Sequence, residues 1–217
     1  MIGLALLFSV AALAGAQETL NYSVNWPSGL SLGEASLASA RSTRGWDFQF
    51  DLEAYVPGFA VNDSYKSAVN SGFCSLTFEK ATRHGVRASI EKSTFGNGSI
   101  RRETLRGGAS EIKTGECARD ALAFLFFLRR ELRQGRLPGQ QTIYSGAPYR
   151  LKLQFAGTQP VAVGEARVEA DRIAALLKGP ASEISFEIFF DKSDARTPLL
   201  VRVPLAIGVL SIELVQP

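Results

Sequence analysis

Residues 117–135 read CARDALAFLFFLRRELRQG, and this stretch decides the fold, because it is the one long helical pattern among segments that alternate. At 3.6 residues per turn, Ala121, Phe124, Leu125, Leu128 and Leu132 fall on one stripe. Ala123, Phe126 and Phe127 project to the other sides. The first two turns are therefore apolar all round, the pattern of a helix buried on every side. Arg129, Arg130, Glu131 and Arg133 then cover everything but the leucine stripe. The spacing predicts a helix over 117–135 that begins in an apolar enclosure and emerges into water over Arg129 to Arg136. Arginines in the last turns suit the negative end of the helix dipole, Gly135 suits the residue after the cap, and Pro138 a stop. The apolar run from Ala121 to Leu128 is far shorter than the roughly 20 residues a membrane-spanning helix needs.

Working outward, the segments on either side read as strands. Trp46 to Val56 is the cleanest: Trp46, Phe48, Phe50 and Leu52 share one face, and Asp47, Gln49, Asp51 and Glu53 the other. Thr19–Trp26, Leu30–Ala40, Val61–Val69, Phe73–Thr82, Val86–Phe95 and Ser99–Leu105 follow the same logic between turn signals, the strongest being Gly96-Asn97-Gly98. This predicts a β-meander of about seven strands over 17–106. Residues 106–117 read as a polar link. Beyond Pro138, strands are predicted at Gln141–Tyr144, Tyr149–Phe155, Val161–Ala170, Glu183–Phe190, Leu199–Val203 and Gly208–Val215, a second set within 140–215. Residues 171–178 stay open between strand and helix, since their Ala and Leu content favours a helix. The expected fold is mainly β: an antiparallel curved sheet or open barrel, in two β halves, wrapped around one central α-helix, in a single β-rich domain over 17–217.

Composition bounds the function. The chain has 217 residues, 46% of them hydrophobic and 21% charged, enough for a core and too apolar for disorder. A net charge of +3 falls short of a nucleic-acid footprint. Residues 1–16, MIGLALLFSVAALAGA, have the length and apolarity of a secretory signal, and Ala14-Gly15-Ala16 fits the cleavage site. The Cys that lipidation requires is absent there. The expectation is an exported periplasmic protein, not a lipoprotein, starting at Gln17. In such a compartment the two cysteines, Cys74 and Cys117, pair as a disulfide, which closes a loop worth about 4 kcal/mol in the chain-entropy model. Two separate buried thiols are the alternative.

Catalytic and metal chemistry find little purchase. The single histidine, His84, sits beside Gly85 in a predicted turn, without a nucleophile motif. One His and two Cys without ligand spacing predict no metal site, and no phosphate or dinucleotide loop appears, so no cofactor is expected. Asp191, Asp194 and Glu187 cluster near one hairpin and read as turn chemistry, with Arg196 as a surface partner. The basic group Arg129, Arg130 and Arg133, with Arg101, Arg102 and Arg106 elsewhere, reads as a solvated face or as a contact for anionic headgroups.

The order of four segments carries a resemblance: ARDALAFLFFLR from Ala118, YRLKL from Tyr149 with Gly157 and Val161 after it, FEIFFDKSDARTPLLV from Phe186, and IGVLSIEL from Ile207. It resembles the DUF3108 family of exported bacterial proteins of unknown function. The resemblance implies no activity. By analogy it implies a fold similar to the open β-barrels of lipoprotein carriers, in which a curved sheet wraps a helix and encloses an apolar cavity. The resulting expectation is a non-enzymatic binder of an apolar or lipid-like ligand, its pocket lined by Phe124, Phe126, Phe127, Trp46, Phe48 and Phe50. The alternative is an envelope interaction or scaffold module with a filled core, contacting a partner protein through a sheet edge or its arginines.

Overall fold

The computed structural model describes residues 17–56, 58–96, 98–105, 107–205 and 208–215. The signal segment expected at 1–16 lies outside them. Eight strands come first: β1 (Gln17–Asn25), β2 (Ser31–Ser42), β3 (Gly45–Val56), β4 (Phe59–Asn70), β5 (Ser75–His84), β6 (Arg87–Gly96), β7 (Ser99–Thr104) and β8 (Ala109–Lys113). A two-residue strand, β9 (Arg119–Asp120), leads into the helix α1 (Ala121–Arg133). Six more follow: β10 (Gln141–Tyr144), β11 (Pro148–Val163), β12 (Ala166–Lys178), β13 (Glu183–Asp191), β14 (Pro198–Leu205) and β15 (Gly208–Leu214). All fifteen belong to one sheet, ordered β8-β7-β6-β5-β4-β3-β2-β1-β15-β14-β13-β12-β11-β10-β9. The two β halves expected from the sequence are thus continuous through β1, which pairs with β15. The sheet is open, with β8 and β9 as its ends.

Because consecutive strands are antiparallel hairpins, turns alternate between the two ends of the strands. The β2–β3, β4–β5, β6–β7, β11–β12 and β13–β14 turns share one end with the start of β1. The β1–β2, β3–β4, β5–β6, β7–β8, β12–β13 and β14–β15 turns share the other. Along β3, Trp46, Phe48, Phe50 and Leu52 face inward beside Val69, Ser67, Tyr65 and Asp63 of β4. Asp47 and Glu53 face out into water.

The helix packs on both parts of the sheet. Leu122, Ala123 and Phe126 join the core built by Leu20, Tyr22, Val24, Leu37, Phe48 and Val69. Phe124, Leu128 and Leu132 join a second core of Ile143, Leu151, Ile173, Ile188 and Phe190. Ala121, Leu125 and Phe127 are only partly buried, which corrects the expectation of early turns enclosed on every side. No helix among the described residues is long and apolar enough to cross a membrane. Near the opening of the sheet, Tyr144 at the end of β10 packs edge-on against Phe95 of β6, ring centroids 6.3 Å apart. Its hydroxyl donates to Thr114 Oγ1 at 2.9 Å.

The helix starts where a buried carboxylate fixes it. Asp120 is wholly buried. Its Oδ1 accepts the backbone N–H groups of Leu122 and Ala123, at 2.9 and 3.0 Å, as an N-cap. Its Oδ2 accepts the hydroxyls of Ser67 on β4 and Ser75 on β5, each at 2.6 Å. The Asp120 N–H in turn donates to Ser75 Oγ at 2.8 Å. Burial pushes the Asp120 carboxyl above its ordinary range, against the downward pull of these four hydrogen bonds. Beside it, Cys74 and Cys117 form the expected disulfide, Cα atoms 4.9 Å apart, and the Ser75 N–H donates to the Ala118 carbonyl at 2.9 Å. The chain entering the helix is therefore fastened to β4 and β5 by a covalent link and a buried polar cluster.

Three element expectations need correction, and one stretch left open is resolved. The polar link over 106–117 contains β8, which pairs with β7 from Ser99↔Lys113 to Glu103↔Ala109. Its polar side chains hid it, because the ladder that makes it a strand uses only backbone groups. Val161–Ala170 is not one strand: Gly164, at φ 56°, turns the chain between β11 and β12. The β11 strand instead runs on from Tyr149 through Pro160, across a bulge at Phe155/Thr158. Residues 171–178 are strand, because β11 and β13 flank β12 on both sides and hydrogen-bond it there, overriding its helix propensity. The helix itself is shorter than 117–135, running from its Asp120 cap to Gln134, with Gly135 at φ 71° closing it.

Replacing Asp120 with Ala should cost about 3 kcal/mol or more, since it strips a cap and leaves two buried hydroxyls without their acceptor; urea unfolding followed by circular dichroism measures this. Asp120→Asn keeps an acceptor oxygen and should cost less. Reducing the 43-residue link between Cys74 and Cys117 should lower stability by about 4 kcal/mol, read as a drop in the urea midpoint under reductant. Intact mass after alkylation, with and without reductant, checks the bond directly.

Candidate functional site

The C-terminal half of α1 reaches the strand ends where β1 begins and where the β2–β3, β4–β5 and β13–β14 turns gather. Between these elements lies an open cleft of about 460 Å³. Its apolar floor is Trp46, Phe48, Phe73 and Phe126; its polar wall is Arg41, Arg129, Arg130, Arg133, Glu18 and Asp194. Phe48 and Phe126 stack with centroids 3.9 Å apart and planes 6° from parallel. The ring centroids of Phe73 and Trp46 lie 6.0 and 6.4 Å from that of Phe48. The result is a cluster of aromatic rings shared by β3, the β4–β5 turn and the helix, with Phe48 and Phe126 buried and Trp46 and Phe73 partly exposed.

Phe73 owes its place to turn chemistry. The Asn70 side-chain oxygen accepts the N–H groups of Gly72 and Cys74, at 2.9 and 3.0 Å. That Asx-type turn holds Phe73 at φ 61°, an unusual value for a bulky residue. Phe73 is therefore not the first residue of a strand, as its place in the Phe73–Thr82 pattern suggests. The guanidinium of Arg130 lies 5.0 Å from its ring centroid, and that of Arg41 lies 4.5 Å over Trp46. Both arrangements set a cation against an aromatic face.

The arginines differ in what they have left to give. Arg129 is buried, which corrects its placing on a solvated face. Its Nη1 and Nη2 donate to the two carboxylate oxygens of Glu18 at 2.7 and 2.8 Å, and its Nε and Nη2 reach the Ala195 and Arg196 carbonyls. It clamps the helix to β1 and to the β13–β14 turn. Arg130 shares the Glu131 carboxylate at 3.2 Å. Arg41 and Arg133 are exposed and carry no ion pair among the described residues. The donors available to an anion at the cleft are thus Arg41 and Arg133, with Arg130 partly so.

Of the six aromatic residues singled out from the sequence, Trp46, Phe48 and Phe126 meet at this cleft. Phe50 lies deeper on β3, 6.2 Å from Tyr65. Phe124 sits in the second core. Phe127 has the guanidinium groups of Arg119 and Arg130 over its ring, at 3.9 and 4.9 Å from the centroid. The cleft residues that sequence reasoning missed are Phe73, Arg41 and Glu18. Arg41 sits among small polar residues at the tip of a strand and carries no motif. A comparable groove of about 400 Å³ on the outer face of β2–β5 has Asp47, Gln49, Lys66 and Glu79 among its lining residues and gathers no comparable set of rings.

The remaining candidates resolve locally. Asp191 accepts from Ser193 Oγ and the Thr197 N–H, at 2.8 Å each, as turn chemistry requires. Arg196 pairs with Asp171 of β12 at 2.7 Å rather than with the side chain of Asp191 or Asp194. His84 ends β5 with Nε2 2.9 Å from Asp63 Oδ1.

Replacing Arg129 with Ala should cost roughly 2–3 kcal/mol, because it strands Glu18 and two carbonyls at a buried junction. Arg133→Ala should change stability by less than about 0.5 kcal/mol. Paired denaturant titrations separate the clamp from the available cation.

The comparisons bear on family and fold. The model of the family described as Protein of unknown function (DUF3108) matches residues 21–215. Comparison with curated proteins gives no match. Among solved structures the chain is similar to a crystal structure described as a β-barrel-like protein of domain of unknown function DUF1849 from Brucella abortus. The two are 10% identical, with a TM-score of 0.66 over 94% of this chain and 97% of that one. At that identity the likeness is one of fold.

Proposed function

The chain belongs to the DUF3108 family, described only as a protein of unknown function, and on that premise we propose that it is an exported, non-enzymatic protein of the bacterial periplasm that binds a lipid-like ligand in the cleft at the C-terminal end of α1. In this reading the sheet curves round the helix and leaves that end open. The observation that carries it is the pairing of a cluster of aromatic rings (Trp46, Phe48, Phe73, Phe126) with unpaired cations (Arg41, Arg133) in one cleft of about 460 Å³. Rings alone would suit any core, and arginines alone any solvated helix end. Together they suit an amphiphile, with its apolar part on the rings and an anionic group, a carboxylate or phosphate, among the arginines. Burial of the apolar part supplies the driving force, at roughly 25 cal/mol per Å²; the cations orient it. The Cys74–Cys117 disulfide supports an oxidising compartment.

The purified protein should release an anionic amphiphile on organic extraction followed by mass spectrometry. It should also take up a fluorescent fatty acid, with a change in tryptophan emission that depends on Trp46. Arg41→Glu with Arg133→Glu should weaken that uptake about tenfold, as the loss of one or two charge-assisted contacts implies, with little change in the thermal midpoint. A clean extract together with no uptake by the wild-type protein sinks the reading.

A further inference from the structure

We propose that the rim at the opposite end of the strands docks the protein on the surface of an anionic lipid bilayer. The turns of that rim carry large apolar side chains in the open: Leu30 beside β1–β2, Tyr55 and Phe59 flanking β3–β4, Val86 at the tip of β5–β6, Leu105 at β7–β8, and Leu205 at β14–β15. Val86 is fully exposed. The turns at the cleft end place Thr43, Arg44, Ser71, Glu165, Ser193 and Asp194 in comparable positions. Single exposed apolar residues are ordinary. Their repetition at five turns of this rim, with only the short β10–β11 and β12–β13 turns lacking one and no exposed large apolar side chain on the described turns of the other end, is what calls for a partner.

Neighbouring tips also hold one another. The Gly85 N–H donates to the Ala60 carbonyl at 2.8 Å, linking the β5–β6 and β3–β4 turns, and Phe59 lies 6.4 Å from the His84 ring. Trp26 and Pro27 crowd Gly208, linking the β1–β2 and β14–β15 turns. These contacts tie the β5–β6 turn to the start of β4, and the β1–β2 turn to the start of β15.

Two features single out a bilayer. First, the apolar groups are separate projections on turns, with gaps between them. A fluid interface closes around such projections, whereas a stable protein partner needs a continuous complementary surface of about 800 Å² per side. Second, the unpaired charge beside the most exposed tip is positive. Arg83 and Arg87 flank Val86, both exposed and without a carboxylate partner among the described residues. Aromatic and aliphatic tips with arginines beside them form the mixture that settles at the headgroup level of an anionic membrane. The docking surface is independent of the cleft. It would hold the cleft facing away from the bilayer.

The test is co-sedimentation of the full chain with vesicles of phosphatidylethanolamine and phosphatidylglycerol. Binding is expected, weakened by salt and weakened about tenfold or more by Val86→Asp or Leu105→Asp. Thr43→Asp, at the cleft end, adds the same charge and should leave binding unchanged. Because these side chains are exposed, all three variants should keep the wild-type melting temperature. Absence of vesicle binding overturns the proposal. So does equal binding by the tip and control variants, which places the membrane contact elsewhere in the chain. A tip variant that binds vesicles normally but loses self-association in sedimentation assigns the rim to a second copy, and likewise overturns it.

Discussion

A fully buried carboxylate has to find hydrogen-bond donors or it destabilises the fold, and Asp120 finds them in three different elements. Two are the N–H groups of Leu122 and Ala123 in the first turn of α1, one is a hydroxyl on β4 and one a hydroxyl on β5. Satisfying Asp120 therefore fixes where the helix begins relative to the sheet. The disulfide one turn upstream and the Ser75–Ala118 backbone bond restrain the same point. The direction of α1, and with it the placing of Phe126 against Phe48 and of the arginines at the strand ends, depends on that anchor.

The far end of the helix is fixed by a second polar device. Arg129 satisfies its fork on Glu18 and two carbonyls of the β13–β14 turn. Between these anchors the helix serves two cores, since residues one and two positions apart face different parts of the sheet. An amphipathic helix with a single stripe could not do so. This explains why the segment is apolar nearly all round yet neither spans a membrane nor lies wholly enclosed. It also explains why one arginine is structural while its neighbours remain available at the cleft.

The sheet imposes a further constraint. A meander of antiparallel hairpins sends alternate turns to opposite ends, so a sequence can give the two ends different chemistry with no change of fold. Here one end has polar turns around the aromatic cleft, and the other carries exposed apolar side chains at several of its turns. The likeness to a β-barrel-like structure at 10% identity fits this picture. The inner face asks only for alternating apolar residues, the turns ask only for compatible backbone, and the outer residues and tips are free to differ.

The period-2 pattern of WDFQFDLEAYV and its neighbours, the helical run after Asp120 and the even cysteine count were enough to give a mainly β chain with one helix and a Cys74–Cys117 bond. Those features depend on local periodicity and on simple pairing, which a linear sequence carries. The strand β8 and the strand character of 171–178 were not legible, because both rest on backbone ladders to neighbours far along the chain. The Ser67 and Ser75 hydroxyls that hold Asp120 lie 53 and 45 residues away from it, and nothing in their local sequence distinguishes them from surface serines. The same holds for Phe73 and Arg41 at the cleft, and for the gathering of apolar tips on one rim. Each depends on which side chains the pairing of distant strands and the packing of the helix bring together, and only the tertiary structure decides that.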